Sequence, residues 1–179
     1  GNAMFRDKRF EEARDSYSEA LALMPEEIGS DKERVNCLNN RAACHVKLGD
    51  YESCIQDCTR ALGLDPRNEK ARLRRGIALE TIGYTAKAAA DMVLLLTERG
   101  DNQHAKACLE RCLDESPTLR TDIVTELQSV IPSTGDPSQE AARLRAAKAL
   151  SERVFIGVLG LGPDMSVLAE KEGPRGKPV

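Results

Sequence analysis

Residues 39–80 decide the fold and read NNRAACHVKLGDYESCIQDCTRALGLDPRNEKARLRRGIALE. When the sequence is shifted by 34 residues, small residues of this stretch fall on small residues, and large residues fall on large ones. The matched pairs are Ala42 with Gly76, Leu48 with Ile82, Gly49 with Gly83, Cys54 with Ala88 and Cys58 with Met92. A period of this length is typical of a helix-turn-helix unit that stacks on copies of itself.

A related repeat precedes this stretch at a longer spacing of 41 residues. It matches Gly1 with Ala42, Phe10 with Tyr51, Ala13 with Cys54, Tyr17 with Cys58, Ala20 with Ala61 and Pro25 with Pro66. Small residues let paired helices approach closely, and the proline ends the second helix of each pair. The additional residues fall around EEIGSDK, where Ser30 and Glu33 form a capping box that predicts a helix start near Asp31. Because Gly1 falls inside the first helix of repeat one, we expect about two turns upstream of it.

The segment EKARLRRGIALE, 69–80, predicts a helix with a packed side and a basic side. Lys70 and Arg74 are four residues apart, so a helix places them on one face. Other charges in and beside the segment are Arg67, Arg72 and Arg75, which add to its positive charge, and Glu69 and Glu80, which offset part of it. Such a helix is a candidate anion-binding surface.

These patterns resemble the tetratricopeptide repeat (TPR) family, whose 34-residue period and small, large and proline pattern the chain shares over residues 1–99. The resemblance implies an all-α fold, a TPR α-solenoid of three helix pairs, with the first pair truncated at its N-terminus. Repeat three departs from the family pattern in two ways. It has Tyr84-Thr85 where the aromatic residue usually lies, and no proline ends its second helix near Gly100.

The resemblance extends to the carboxylate clamp of chaperone-binding members of the family. Their clamp takes a Lys-x-x-x-Asn from repeat one, an Asn-Arg-Ala-type motif from repeat two and a Lys-x-x-x-Arg from repeat three. The matching segments here are Gly1-Asn2, Asn39-Asn40-Arg41-Ala42-Ala43 and Lys70-Ala71-Arg72-Leu73-Arg74. The resemblance therefore implies a peptide-binding site made of Asn2, Asn40, Ala43, Lys70 and Arg74. The opening lysine of the family motif would lie before Gly1.

In that family the clamp holds the C-termini of heat-shock chaperones of the seventy- or ninety-kilodalton class, which end in Glu-Glu-Val-Asp. The resemblance thus implies a cytoplasmic co-chaperone or adaptor. Lys70 and Arg74 would bind the terminal and side-chain carboxylates, Asn2 and Asn40 would donate to the main-chain carboxylate, and Ala43 would contact the valine. Because exposed ion pairs are individually weak, we expect a salt-dependent affinity of about −8 kcal/mol, in the micromolar range.

The chain after the repeats is predicted to be helical. Residues 102–114 carry an apolar stripe, and Ser116-Pro117 marks the start of a further helix. Residues 100–131 as a whole fit either a pair of capping helices or a degenerate fourth repeat.

Residues 132–139, PSTGDPSQ, have the composition of a linker. In the remaining segment, 140–179, we expect a helix over about 140–156 and a mobile tail. Its apolar run VFIGVLGL, 154–161, either packs back on the solenoid or makes the region 140–161 a site for a second protein partner.

Composition excludes several classes of protein. Of the 179 residues 31% are charged and 3% are aromatic, which favours helices over sheets. The net charge of −3 argues against general nucleic-acid binding. No apolar run has the length of a membrane span, and no signal peptide opens the chain. Six cysteines without such a signal favour free thiols in a reducing compartment. Since the chain begins at Gly1, we expect it to be a fragment of a longer protein.

No catalytic constellation is found, and neither a cofactor nor a metal is expected. Cys54/Cys58 and Cys108/Cys112 have a spacing that can seat two zinc ligands on a helix. However, the first pair falls on core positions of the repeat and the second on an apolar stripe, so packing accounts for both. His45 is expected in the core or the groove wall. No glycine-rich phosphate loop follows a strand, and no Ser or Cys nucleophile has a partnered histidine nearby in sequence.

Two other functions fit the same sequence. A TPR scaffold can hold an internal segment of a partner within a multiprotein assembly, and such binding would survive amidation of a peptide's C-terminus. Alternatively, the repeats are the TPR part of a larger enzyme, since some family members carry an isomerase or phosphatase domain. A long extension containing strands would favour the enzyme.

Overall fold

The computed structural model describes residues 1–24, 31–115, 119–130 and 137–160. Every regular element in these ranges is a helix, as the predicted all-α solenoid requires. The helices α1 to α9 span Asn2–Arg6, Phe10–Leu23, Asp31–Leu48, Tyr51–Leu64, Glu69–Thr81, Thr85–Glu98, Gln103–Glu115, Leu119–Val130 and Pro137–Gly157. Within the described ranges, each helix is too short or too polar to traverse a lipid bilayer.

The first six helices stack as three consecutive pairs. Each helix from α1 to α6 packs against the next one in the chain, and α3 also contacts α5. The turns inside the second and third pairs place Gly49 and Gly83 at φ values of 78° and 85°, a region that side chains disfavour. Lys8 occupies the corresponding turn of the first pair at a φ of 62°. The shared turn geometry supports the alignment of all three repeats.

Side-chain caps mark the starts of α4 and α5. The Asp50 carboxylate accepts from the Ser53 N–H at 3.1 Å and starts α4. The Asn68 side chain accepts from the Ala71 N–H at 3.0 Å and starts α5. Helix α3 begins at Asp31, as predicted. The predicted capping role of Ser30 lies outside the described residues.

A glycine allows the two helices of repeat three to approach closely. A Cβ atom on Gly76 would clash with the terminal methyl group of Met92, which is fully buried. At the equivalent positions of repeat two, Ala42 and Cys58 are also fully buried. Compared with repeat two, repeat three has a smaller residue on its first helix and a larger one on its second. The interface between the paired helices therefore stays filled.

Helices α7 and α8 cover the end of repeat three. Both pack more against α6 than against each other, and α9 packs on α8 and α6. Their fully buried side chains join those of α6 in one apolar cluster that includes Leu95, Leu109, Leu127 and Val154. In repeats two and three the two helices of each pair pack chiefly on each other, so α7 and α8 differ from them; from their position we call these two helices the cap.

The C-terminal helix starts earlier than the sequence analysis predicted. Because α9 begins at Pro137, the linker prediction for 132–139 is wrong for its last three residues. Proline suits the first position of a helix, where its missing N–H is not needed. Residues 131–136, the predicted start at Ser116-Pro117 and the tail after Gly160 lie outside the described residues.

The apolar end of α9 packs back on the solenoid. Val154 and Phe155 are buried in the cluster that holds α6, and the Arg120 guanidinium lies 5.1 Å from the centre of the Phe155 ring. The first of the two predictions for the run 154–161 therefore holds for these residues. Leu144 and Ile156 remain exposed on the same helix.

Candidate peptide-binding site

Helices α3 and α5 border a groove that contains both predicted cations. Lys70 and Arg74 lie one turn apart on α5 and line a cavity of about 270 Å³. The rest of its lining is mainly apolar and consists of Val46, Tyr51, Leu73, Ile77 and Ala78. Two cations beside an apolar floor suit a ligand that carries both carboxylate and hydrocarbon groups.

Arg74 is held in place by the neighbouring repeat. Its Nη1 donates to the backbone oxygen of Asn39 at 3.0 Å. The buried side chain of Asn39 donates in turn to Oδ1 of Asn68 at 3.1 Å, and that oxygen also caps the first turn of α5. The start of α5 and the guanidinium are therefore both joined to α3. Since a guanidinium has several donors, one such bond leaves others for a ligand.

Asn2 on α1 and Asn40 on α3 are in direct contact. Nδ2 of Asn40 donates to Oδ1 of Asn2 at 3.2 Å, and the Tyr17 hydroxyl donates to the same oxygen at 2.5 Å. Burial raises the pKa of Tyr17, so its hydroxyl keeps the proton that it donates. With the Asn2 oxygen used twice, the amide nitrogen of Asn2 is the group left to bind an acceptor.

The structure brings the predicted residues together in two groups. Asn2 and Asn40 touch each other, whereas Lys70 and Arg74 share the cavity wall. Arg74 bonds to the residue directly before Asn40, which links the groups. Lys70 is exposed, while Ala43 is half-buried on α3, one turn beyond Asn39.

Two arginines that the sequence analysis counted toward the positive charge of α5 are neutralised inside the fold. Arg75 forms a two-pronged ion pair with Asp91, with both N–O distances at 2.7 Å. Arg72 is buried, donates to the backbone oxygen of Pro66 and lies 3.9 Å from Asp91. The expectation is therefore wrong for these two residues, and neither adds to the charge of the groove.

The same ion pair recurs one repeat earlier and was missed from the sequence. Arg41 binds both oxygens of Asp57 at 2.7 and 2.6 Å, and only 4% of the Asp57 side chain is exposed. Arg41 also reaches Ser18 of the preceding repeat, just as Arg75 reaches Thr59. The signal was present, because a shift of 34 residues matches Arg41 with Arg75 and Asp57 with Asp91.

The predicted packing role of the cysteines is confirmed. Cys54, Cys58, Cys108 and Cys112 are fully buried in the core, and the six cysteines are thiols rather than disulfides. His45 is buried too, with Nδ1 at 3.1 Å from Oδ2 of Asp50. Its position in the core agrees with the sequence analysis.

Residues 35–68 match the sequence profile named Tetratricopeptide repeat. Human sperm-associated antigen 1 is 45% identical over 98 residues, which are 54% of this chain and 10% of that protein. Human mitochondrial import receptor subunit TOM34 is 40% identical over 97 residues, 54% of this chain and 31% of that protein. The chain therefore spans less than a third of the length of either relative.

Two solved structures are similar to this chain over a larger part of its length. The TPR domain of Arabidopsis OM64 is 34% identical with a TM-score of 0.58, and the match covers 65% of this chain and 90% of that one. The Hsp90 co-chaperone Cns1 from Saccharomyces cerevisiae shares the fold at 22% identity, with a TM-score of 0.60 over 96% of this chain and 52% of that one. The chain belongs to the tetratricopeptide repeat family.

Proposed function

We propose that this chain is the peptide-binding part of a cytoplasmic co-chaperone or adaptor. Its ligand is the acidic C-terminal peptide of a heat-shock chaperone of the seventy- or ninety-kilodalton class. The observation that carries the proposal is the shared groove of Lys70 and Arg74, joined through Asn39 to the Asn2–Asn40 contact.

The residue chemistry supports a ligand with closely spaced carboxylates. Lys70 supplies a mobile ammonium group, and Arg74 supplies a guanidinium whose orientation is restrained by the Asn39 backbone. Both bind carboxylates by charge-assisted hydrogen bonds, which are stronger than neutral ones. The amide groups of Asn2 and Asn40 add neutral donors that suit the main-chain carboxylate at a chain end. Beside these donors, Ala43 and the apolar floor offer contacts to the valine of the peptide.

The descriptions of similar proteins agree with this proposal but are not its main support. Cns1 is an Hsp90 co-chaperone, and the UNC-45 chaperone of Caenorhabditis elegans was solved with an Hsp90 peptide. At 22% and 24% identity, these two likenesses concern the fold. TOM34 is named as an import receptor subunit, which is also a role in binding other proteins. The site residues of this chain are therefore the main support.

Fluorescence anisotropy with a labelled peptide ending in Glu-Glu-Val-Asp tests the proposal. We expect binding in about the micromolar range that weakens as salt is added, because exposed charge pairs are screened. Lys70→Ala and Arg74→Ala should each weaken binding by about tenfold or more, the loss of a charge-assisted hydrogen bond. Lys87→Ala is the matched control, because it removes an exposed lysine from α6, outside the groove.

The amidated form of the same peptide separates the proposed function from its rivals. A clamp loses affinity when the terminal carboxylate is replaced by an amide, whereas a scaffold that holds an internal segment binds both peptides equally. Equal binding, or an equal effect of Lys87→Ala and Arg74→Ala, would overturn the proposal.

A further inference from the structure

A second cluster of polar groups lies between repeat three and the cap, away from the groove cations. It consists of Glu80 on α5 and of Cys108 and Cys112 on α7, whose candidate ligand atoms all lie within 4.8 Å of one another. Both cysteines are fully buried, and 14% of the Glu80 side chain is exposed. Two soft sulfur atoms and a carboxylate oxygen at this separation form a metal-binding donor set.

The contacts within the cluster are directional. Sγ of Cys108 lies 3.1 Å from Oε2 of Glu80 and donates its proton to that oxygen. Cys112 follows one turn later on the same face of α7, which places both sulfur atoms toward α5. The sequence predicts only packing for this cysteine pair, because Glu80 is 28 residues away and joins it through the fold.

A neighbouring arginine completes the charge balance of such a site. Arg111 binds the Glu80 carboxylate with both prongs, at 2.5 Å to Oε1 and 2.8 Å to Oε2. Two thiolates and a carboxylate carry one negative charge more than a divalent cation neutralises, and the Arg111 guanidinium supplies the balancing charge. Partners of this kind fix the orientation of metal-binding carboxylates in proteins.

We propose that Glu80, Cys108 and Cys112 bind a thiophilic divalent cation, with zinc as the physiological ion. Each thiol transfers its proton to solvent as its sulfur–metal bond forms, and a water molecule takes the fourth position of a tetrahedral site. The bound ion joins α5 to α7 and thereby fastens the cap to repeat three. This inference is independent of the proposed peptide ligand.

The other cysteine pair provides an internal control. Cys54 and Cys58 have the same spacing and are also fully buried. Asp57, the carboxylate between them in sequence, has both oxygens bound by Arg41, as Glu80 has both bound by Arg111, so an arginine partner does not distinguish the two pairs either. Among the described residues, the Glu80 cluster is the group of at least three candidate ligands that meets the distance requirement. Burial and spacing alone therefore do not distinguish the pairs, whereas the third ligand does.

Titration of the reduced, metal-free chain with cadmium tests the proposal through the thiolate-to-cadmium absorption band. We expect one tightly bound ion per chain, lost in Cys108→Ser and kept in the double variant Cys54→Ser/Cys58→Ser. Glu80→Gln removes the charge of a direct ligand and should weaken binding by about tenfold or more, since even the loss of an outer-shell partner typically costs that much. In a thermal scan, zinc should raise the midpoint of the unmodified chain and of the Cys54/Cys58 double variant, but not that of Cys108→Ser.

Each alternative result contradicts the proposal. A chain without the absorption band has no such site, and a band that survives Cys108→Ser but disappears in the double variant belongs to the other pair. If Cys108→Ser fails to fold, which circular dichroism would detect, the milder Glu80→Gln variant decides: unchanged cadmium affinity overturns the site.

Discussion

Repeats two and three and the cap helices α7 and α8 are built on different chemistry. In each of the two repeats, a half-buried arginine on the first helix binds a buried aspartate on the second with both prongs. A further shift of 34 residues leads to Leu109 and Thr125. Leu109 is fully buried in the apolar cluster, and Thr125 is exposed. The cap therefore lacks the polar pair at those positions, where its packing is apolar; its own two-pronged ion pair, from Arg111 to Glu80, joins it instead to repeat three.

This difference relates to what each region has to hold. A two-pronged ion pair has a narrow geometry, so it restricts how one helix lies on the next. Repeats two and three present Lys70, Arg74 and Asn40 for the proposed ligand, and their helices need a defined relative position. At the equivalent positions the cap covers apolar surface, for which non-directional packing is sufficient. We infer that the ion pairs serve the precision of the groove more than its net stability.

The largest effect is expected from breaking one ion pair of the repeats. Asp91→Ala removes the buried member of the pair and leaves the half-buried Arg75 guanidinium without its counter-charge, which should lower the free energy of unfolding by about 3 kcal/mol in urea denaturation. Thr125→Ala, at the matching position of the cap, should change it by less than about 0.5 kcal/mol. Similar losses in both variants would remove the distinction between the two regions.

A similar or slightly smaller loss of stability is expected when a buried apolar side chain of the cap is shortened. Leu109→Ala removes a fully buried side chain, which should lower the free energy of unfolding by about 3 kcal/mol. Leu109→Met keeps the volume and should cost less than about 1.5 kcal/mol. Urea denaturation followed by circular dichroism measures both. If the methionine variant is as unstable as the alanine variant, packing volume is not what holds the cap.

The sequence anticipated the helices better than the contacts between them. The small residues Ala42 and Gly76 and the positions of Gly49 and Gly83 recur at the repeat period, so the pairing of helices could be predicted. Whether an arginine faces a groove or a buried aspartate depends on the rotation of its helix. Arg75 follows Arg74 directly, yet the two point to different partners.

Two sets of contacts could be identified only from the tertiary structure. The pairing of Glu80 with Cys108 and Arg111 joins helices whose sequence carries no shared pattern. The link from Asn68 through Asn39 to Arg74 spans two repeats, although neither asparagine belongs to a sequence pattern that indicates it. By contrast, the sequence does show that an arginine and an aspartate recur 34 residues after Arg41 and Asp57, and the sequence analysis did not use this pattern.

The junction between the two regions should depend on pH in the metal-free chain. The hydrogen bonds from Arg111 hold the pKa of Glu80 below its ordinary value. A lowered pKa stabilises the fold above the unfolded value of about 4.3, and this contribution disappears as the pH falls through the lower folded value. The stability difference between the unmodified chain and Glu80→Gln should therefore shrink below about pH 4.

Urea denaturation at a series of pH values measures that difference. Glu52→Gln serves as the control, because it replaces an exposed glutamate in the first turn of α4. A difference that grows on acidification would show that the Arg111 contact does not stabilise the charged carboxylate.

The smallest effect is expected from the turn of repeat one. Lys8 has a φ of 62° where repeats two and three have Gly49 and Gly83. Because a side chain is strained in this conformation, Lys8→Gly should raise the free energy of unfolding by about 0.5–1 kcal/mol. The reverse exchange, Gly83→Lys, should lower it by about 1–2 kcal/mol. Thermal denaturation of both variants measures the effects, and a loss of stability in Lys8→Gly would contradict the alignment of the three turns.

The central claim, that Arg74 binds the terminal carboxylate of a peptide, is tested most directly by a double-mutant cycle. The four affinities are those of the unmodified chain and Arg74→Ala, each with the free-acid and the amidated Glu-Glu-Val-Asp peptide. Direct contact predicts that amidation costs affinity in the unmodified chain but much less in Arg74→Ala, with a coupling energy of about 1 kcal/mol or more. Strictly additive losses would show that the arginine and the carboxylate do not meet, and would contradict the clamp.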